Sequence, residues 1–226
     1  MTQDEAKLLA AKRAVEFIED GMAVGLGTGS TATLFIRELG KRVADGLRIK
    51  AIATSDASRT LAQQLGILIT TFAETPVLDI NVDGADEVAP GLALIKGGGG
   101  AHLREKIVAS IAKKFIVVAD STKVVPMLGK FPLPVEVFEF ALPLVERRLE
   151  SLGMNPKLRP ARNGEGPWIT DEGNRILDCY CGAIPDPART AAEVRAIIGV
   201  VEHGLFLNMA TLALVAGENG VQELHP

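Results

Sequence analysis

The chain has 226 residues, a net charge of −4 and 47% apolar side chains, enough for the core of one large domain or two small ones. It has no basic block and few aromatics, which argues against a nucleic-acid partner. No apolar run approaches the roughly 20 residues that span a bilayer, and the charged opening MTQDEAKLLAAKRAVEFIED lacks a signal peptide's apolar core, so a soluble cytoplasmic protein away from membranes is expected.

TQDE at 2–5 reads as a capping box, and Leu8, Ala11, Val15 and Ile18 then repeat at helical spacing, predicting a helix to about Asp20. MAVGLG is a short buried strand that turns through TGSTATLFIREL into a second helix. IKAIAT (49–54) is a strand, ASRTLAQQLG (57–66) a helix closed by Gly66, and ILITTF (67–72) a strand. VLDINVDGAD and LALIK hold two more strands. AHLREKIVASIAKK is a helix and FIVVAD a strand. Strands alternating with helices predict an α/β domain with a mostly parallel sheet covered on both faces.

The pattern changes near residue 130. KFPLPVEVF leads into a strand, LPLVERRLESLG is a helix stopped by Gly153, and strands follow near KLRP and RILDCYC. DPARTAAEVRAIIG is a helix with Asp186 as N-cap and Pro187 in its first turn, and VVEHGLF is a strand. This β-α-β-β-α-β order is ferredoxin-like. TLALVAG (211–217) then returns to the first sheet. The expected organisation is a large domain of 1–129 plus 205–226, with a smaller domain of 130–204 inserted into it. Cys179 and Cys181 lie two apart on a strand and face the same way. Only His102, His203 and His225 could join them, at no zinc-motif spacing, so reduced thiols and no metal are expected.

Ligands of open α/β sheets lie at the C-terminal strand ends, and three loops there carry chemistry. GLGTGST places glycines and the hydroxyls of Thr28, Ser30 and Thr31 at a helix start, where N–H groups attract phosphate. The alternative is a capped tight turn. GTGSTA also fits a dinucleotide fingerprint, but the acidic partner is unclear, with Asp56 the nearest. DGADE puts Asp83 and Asp86 at a strand end, as turn formers or as carboxylates for sugar hydroxyls, ring opening or a metal. Glu87 is expected to face solvent. In IKGGGGAHLREK, Lys96 ends a strand, Gly97 to Gly100 make a bare main-chain surface, and Glu105 lies on the first turns of a helix. An acid there favours the helix dipole; beside Lys96 it is also a general-base candidate. Arg104 and Lys106 read as surface or pairing residues, and His102 as solvated or capping. ADSTK adds Lys123 at a fourth strand end.

GLGTGST, VDGADE, KGGGG…LREK, ADSTK and LGKFPLPVEV occur in an order and spacing that resemble type A ribose-5-phosphate isomerases over nearly the whole chain. The resemblance implies interconversion of ribose 5-phosphate and ribulose 5-phosphate in the non-oxidative pentose phosphate pathway. It also implies a Rossmann-like large domain with a ferredoxin-like lid, no cofactor or metal, and a homo-oligomer, usually a homodimer. It puts the base at Glu105, and substrate binding at Thr28, Gly29, Ser30 and Thr31, at Asp83, Gly84, Ala85 and Asp86, and at Lys96, Gly97, Gly98 and Gly99, with Lys123 and Lys7 as further contacts. Lys96 and the glycine N–H groups would form an oxyanion site, and Asp83 and Asp86 would assist ring opening. Many members of the family have alanine at Gly100, and the smaller glycine is expected to be tolerated. Met154 to Tyr180 is expected to lie in the lid, away from these motifs. A non-catalytic sugar-phosphate sensor is the alternative function; it would require a DNA-binding module, for which there is no room before Gly21.

Overall fold

The computed structural model describes residues 1–226. In chain order its elements are α1 Gln3–Val15, β1 Ala23–Leu26, α2 Ser30–Ala44, β2 Lys50–Ala53, α3 Asp56–Gln64, β3 Leu68–Ile69, β4 Ile80–Gly84, β5 Glu87–Ala89, β6 Ala93–Ile95, α4 His102–Ser110 and β7 Phe115–Asp120. There follow β8 Leu133–Val137, α5 Leu142–Ser151, β9 Pro156–Leu158, β10 Arg175–Cys179, α6 Pro187–Arg195, β11 Val200–His203, β12 Leu205–Phe206, β13 Leu212–Gly217 and β14 Gly220–Leu224. No helix is long and apolar enough to cross a membrane.

A seven-stranded sheet has the order β14-β13-β7-β4-β1-β2-β3. All its pairings are parallel except that of β13 with β14. The period of two along β7 explains how both faces are filled. Ile116 and Val118 join the core under α1 and α2, while Phe115, Val117 and Ala119 join a second core on the opposite face. In β4 the same alternation separates apolar Ile80 and Val82 from polar Asn81 and Asp83, so Asp83 is directed away from the α1/α2 core.

Four antiparallel strands in the order β11-β8-β10-β9 form a second sheet. With α5 and α6 this is the ferredoxin-like arrangement, packed through Leu133, Val135, Val137, Val145, Leu149 and Val194. The architecture is therefore a Rossmann-like sheet with a small ferredoxin-like lid. Cys179 is buried in the lid core, Cys181 is half-buried, and both are free thiols.

Several details depart from expectation. Helix α1 has its capping box, with Thr2 and Glu5 each accepting the other's backbone N–H, but it ends at Val15; Ile18 is buried from the turn beyond it. The strand in LALIK leaves the main sheet: β6 pairs with β5 and β12 in a separate three-stranded sheet. VVEHGLF divides at Gly204 into β11 and β12, whose pairings are to β8 and β6. The edge strand β14 was not anticipated.

Candidate active site

Strands β1 and β4 are parallel neighbours, so the loops that follow them emerge side by side. Gly27 has no room for a side chain, because a Cβ would collide with the Asp83 carboxylate. That close approach lets Thr28 N–H and Gly84 N–H donate to Asp83 Oδ1 at 3.0 and 2.7 Å. After it, Gly29 caps α2 with a φ of 107° and no side-chain hydrogen bond. The N–H groups of Gly29, Ser30, Thr31 and Ala32 consequently have no acceptor in the chain, leaving a free helix terminus suited to an anion.

Lys96 is delivered by the three-stranded sheet, where its N–H donates to Gly204 O at 2.9 Å. Its ammonium lies 3.1 Å from Asp83 Oδ2 and 3.3 Å from Glu105 Oε2, and it donates to Gly84 O. Lys96 and Glu105 are each 2% exposed and Asp83 is fully buried. Burial, followed by the Asp83 charge, pushes the Glu105 carboxyl up to about 8, with Lys96 offsetting part of the rise. Burial also pushes Asp83 upward, against Lys96 and the two amide donors. Burial alone would lower Lys96, but Asp83 and Glu105 outweigh it and hold the ammonium charged. The Phe206 ring lies 5.4 Å from Lys96 Nζ and 4.8 Å from Lys106 Nζ, within cation–π range of both.

These groups open onto a cleft of about 110 Å³ lined by Lys7, Thr28, Gly29, Ser30, Thr31, Gly84, Ala85, Asp86, Lys96, Gly97, Gly99, Glu105 and Lys123. Of the residues expected to act in catalysis or substrate binding, only Asp83 and Gly98 do not line it. Asp83 lies behind the wall, and Gly98 N–H is turned to Asp86 Oδ2 at 2.7 Å. Thr28 lines the cleft, but its hydroxyl is taken by Thr54 and Ser55 at 2.7 and 2.8 Å. The free hydroxyls of that loop are thus those of Ser30 and Thr31.

Three of the four glycines have reasons inside the fold. A Cβ on Gly97 would lie 2.8 Å from His102 Nδ1, one on Gly98 2.5 Å from Asp86 Oδ1, and one on Gly100 2.5 Å from Trp168 Nε1. Only Gly99 has ordinary space, with Thr28 Cγ2 at 3.4 Å, and it faces the cleft. Gly100, at φ +81°, is required here rather than merely tolerated.

Other expectations are corrected. Glu87 does not face solvent; it is buried and accepts from Gly129 N–H and Phe131 N–H at 2.7 and 2.6 Å, closing the loop that leads to the lid. His102 is buried, not solvated, and Ala101 occupies the cap position; burial lowers its imidazole to about 3. Lys106 takes the pairing role of its two expected ones, largely buried against Glu202 at 2.7 Å. The segment 154–180 is not remote. Trp168 packs on Gly100, Arg159 donates to Gly97 O at 2.8 Å, and Asp171 accepts from Asp56 N–H and Arg104 at 2.8 and 3.2 Å. Arg159, Asp178, Trp168, Phe206 and the Thr54–Ser55–Ser58 hydroxyls were missed, since each meets the site from a distant part of the chain with no local motif. Asp56 is engaged by Arg59 and Arg104 at 2.7 and 2.8 Å, which disfavours it as a ribose ligand.

A compact polar cleft, with an uncapped helix terminus at one wall and a buried acid–ammonium–acid cluster at another, defines an α/β sheet protein built to hold a small anionic molecule. The family model for ribose 5-phosphate isomerase A (phosphoriboisomerase A) matches residues 50–220. Ribose-5-phosphate isomerase A of Roseiflexus castenholzii is 54% identical over 218 residues, covering 95% of this chain and 93% of that one. The solved ribose 5-phosphate isomerase A of Methanocaldococcus jannaschii superposes with a TM-score of 0.95 at 44% identity, over 100% of both chains. A D-ribose-5-phosphate isomerase in complex with phospho-erythronic acid gives 0.97 at 40% identity, again over 100% of both. The chain belongs to the ribose 5-phosphate isomerase A family.

Proposed function

We propose that this chain is an aldose–ketose isomerase that interconverts D-ribose 5-phosphate and D-ribulose 5-phosphate, in the non-oxidative branch of the pentose phosphate pathway. The observation that carries the reading is the Glu105 carboxyl, buried 3.3 Å from the Lys96 ammonium at a cleft edged by unpartnered backbone N–H groups. Moving the carbonyl from C1 to C2 requires a proton to leave C2 and return at C1. Glu105 takes and returns it, through a cis-enediolate. Its burial supports this role, because a base works best when its pKa lies near the working pH. Lys96 and the N–H groups of Gly97 and Gly99, which have no acceptor in the chain, stabilise the developing oxyanion. The N-terminus of α2 with Ser30, Thr31, Lys7 and Lys123 takes the phosphate and so positions the reacting end. Asp86 takes hydroxyls and assists ring opening, and Asp83 orients Lys96. A sensor has no need of a buried carboxyl held near neutrality beside a lysine.

The same reading divides the chain into a catalytic domain of 1–129 plus 205–226 and a lid of 130–204, supported by the change of sheet between β7 and β8 and again between β11 and β13. It makes the protein a cytoplasmic homodimer. The direct test is ketose formation from ribose 5-phosphate by purified protein in excess EDTA. Robust turnover is expected. Binding without turnover would favour the sensor, and absence of binding would overturn the assignment of the α2 terminus.

A further inference from the structure

We infer that Arg159, in the lid, is a positioning residue for the reaction, acting through the peptide that joins Gly97 to Gly98; the inference rests on the function proposed above. The carbonyl of that peptide accepts from Arg159 Nη1 at 2.8 Å and from Gly100 N–H at 2.9 Å, while its N–H donates to Asp86 Oδ2 at 2.7 Å. The same Nη1 lies 3.4 Å from Gly98 O. Gly97 has a φ of +108° and no side chain, so little local sterics hold this peptide plane. Turned over, it would aim its carbonyl at the Asp86 carboxylate and displace both Asp86 and the N–H groups on either side. The charge-assisted bond from Arg159 opposes that rotation.

Arg159 is itself fixed. Its Nε and Nη2 are paired with the two oxygens of Asp178 at 2.8 and 2.5 Å. Its backbone is held between Ile176 O and Trp168 N–H at 2.9 and 2.8 Å. It does not line the cleft, and the Asp178 pairing occupies the remaining face of its fork. A guanidinium so engaged orients the glycine loop and does not take the phosphate. The lid therefore carries part of the alignment of the oxyanion donors.

The test compares wild type, Arg159→Met and Arg159→Lys for kcat and KM with ribose 5-phosphate, and for the Kd of phospho-erythronic acid. That acid's planar carboxylate places two oxygens on one carbon, much as the enediolate presents its oxygens on one side. Misalignment should lower kcat of Arg159→Met on the order of 10–100-fold, weaken the acid in parallel, and leave KM within about threefold, as expected when only interactions specific to the transition state are lost. Arg159→Lys should recover part of both. Unchanged kcat and acid affinity would overturn the inference, as would an equal loss of substrate and acid binding, which marks a merely structural role. Should Arg159→Met fail to fold, Arg159→Lys decides alone by the same criteria. An inactive wild type would remove the proposed function and this inference with it, whereas an active wild type with unaffected variants removes only the latter.

Discussion

The Glu105 carboxylate meets the Lys96 ammonium at 3.3 Å, with both side chains nearly sealed from water. A carboxyl in that position is either ionised against the cation or protonated beside it, and the proposed proton transfer uses both states. Glu105→Gln preserves shape and removes the basic oxygen. Its kcat should fall about 10²- to 10⁴-fold, the usual contribution of a general base, while ribose 5-phosphate still binds in calorimetry. Near-wild-type turnover would rule Glu105 out as the base.

The pH dependence follows from the same group. A base must be ionised to accept a proton, and burial holds Glu105 up to about 8. The acid limb of kcat/KM should therefore bend near that value in the wild type. A limb at an ordinary carboxylate pKa would contradict the role of burial.

Stability shares this linkage. Unfolded, Glu105 loses its proton near the ordinary carboxylate value of 4.5; folded, it does so only at about 8. Its stabilising contribution is complete below the first value and is lost as pH rises to the second. Glu105→Gln has no such slope, so its Tm should gain on wild type between pH 5 and pH 8. A constant difference across that window would show that the carboxyl is not perturbed.

Lys96→Met leaves Asp83 and Glu105 facing each other without the cation. Removing one partner of a buried ion pair costs about 3–5 kcal/mol, and urea unfolding should register a loss of that order. Adding Glu105→Gln should return part of it, because the two changes are coupled. Simple additivity in that double variant would argue against the coupling.

Lys7 reaches the cleft from α1, among the groups proposed to take the phosphate. Lys7→Ala should raise KM with kcat little changed, the pattern of binding lost equally from ground and transition states. Steady-state kinetics at low salt, where screening is weakest, provide the measurement. A fall in kcat alone would move Lys7 into the chemistry.

Gly100→Ala, which introduces the residue common in the family, should destabilise this chain. A left-handed backbone costs a non-glycine residue about 1–2 kcal/mol, and Trp168 occupies the space a Cβ needs. Adding Trp168→Ala should relieve the steric part and leave the backbone part. Equal thermal stability of Gly100→Ala and wild type would refute this account.

What the sequence discloses depends on how locally it is written. The Thr2–Glu5 box and the helix stops at Gly66 and Gly153 are contained within a few residues, and all were legible. FIVVAD was equally clear as a strand, since β7 is a short continuous apolar run filled on both faces. Strand β14 is a partly exposed edge of mixed polarity, GVQEL, and offers little hydrophobic period to read. The placement of β6 outside the main sheet is decided by pairing with β12, more than a hundred positions away. The site divides in the same manner. Lys96, Glu105 and the glycines belong to one compact motif, as do the α2 loop and DGADE. Arg159 and Trp168 reach that motif from 62 and 68 positions further along the chain, and LRP or GPW alone says nothing of a destination. Burial of Glu87 and His102 likewise depends on loops that close over them from elsewhere.

The missing side chains around the cleft have a consequence for how such a chain changes over generations. Four of the absent Cβ atoms are matched to an atom that fills their place: Gly27 to Asp83, Gly97 to His102, Gly98 to Asp86 and Gly100 to Trp168. Drift at either member of a pair is conditional on the other. A lineage that trims Trp168 first relieves the steric bar to a larger residue at 100, and one that enlarges 100 first meets a barrier. The order in which substitutions arrive, and not only their final set, decides which neighbouring sequences this fold can reach.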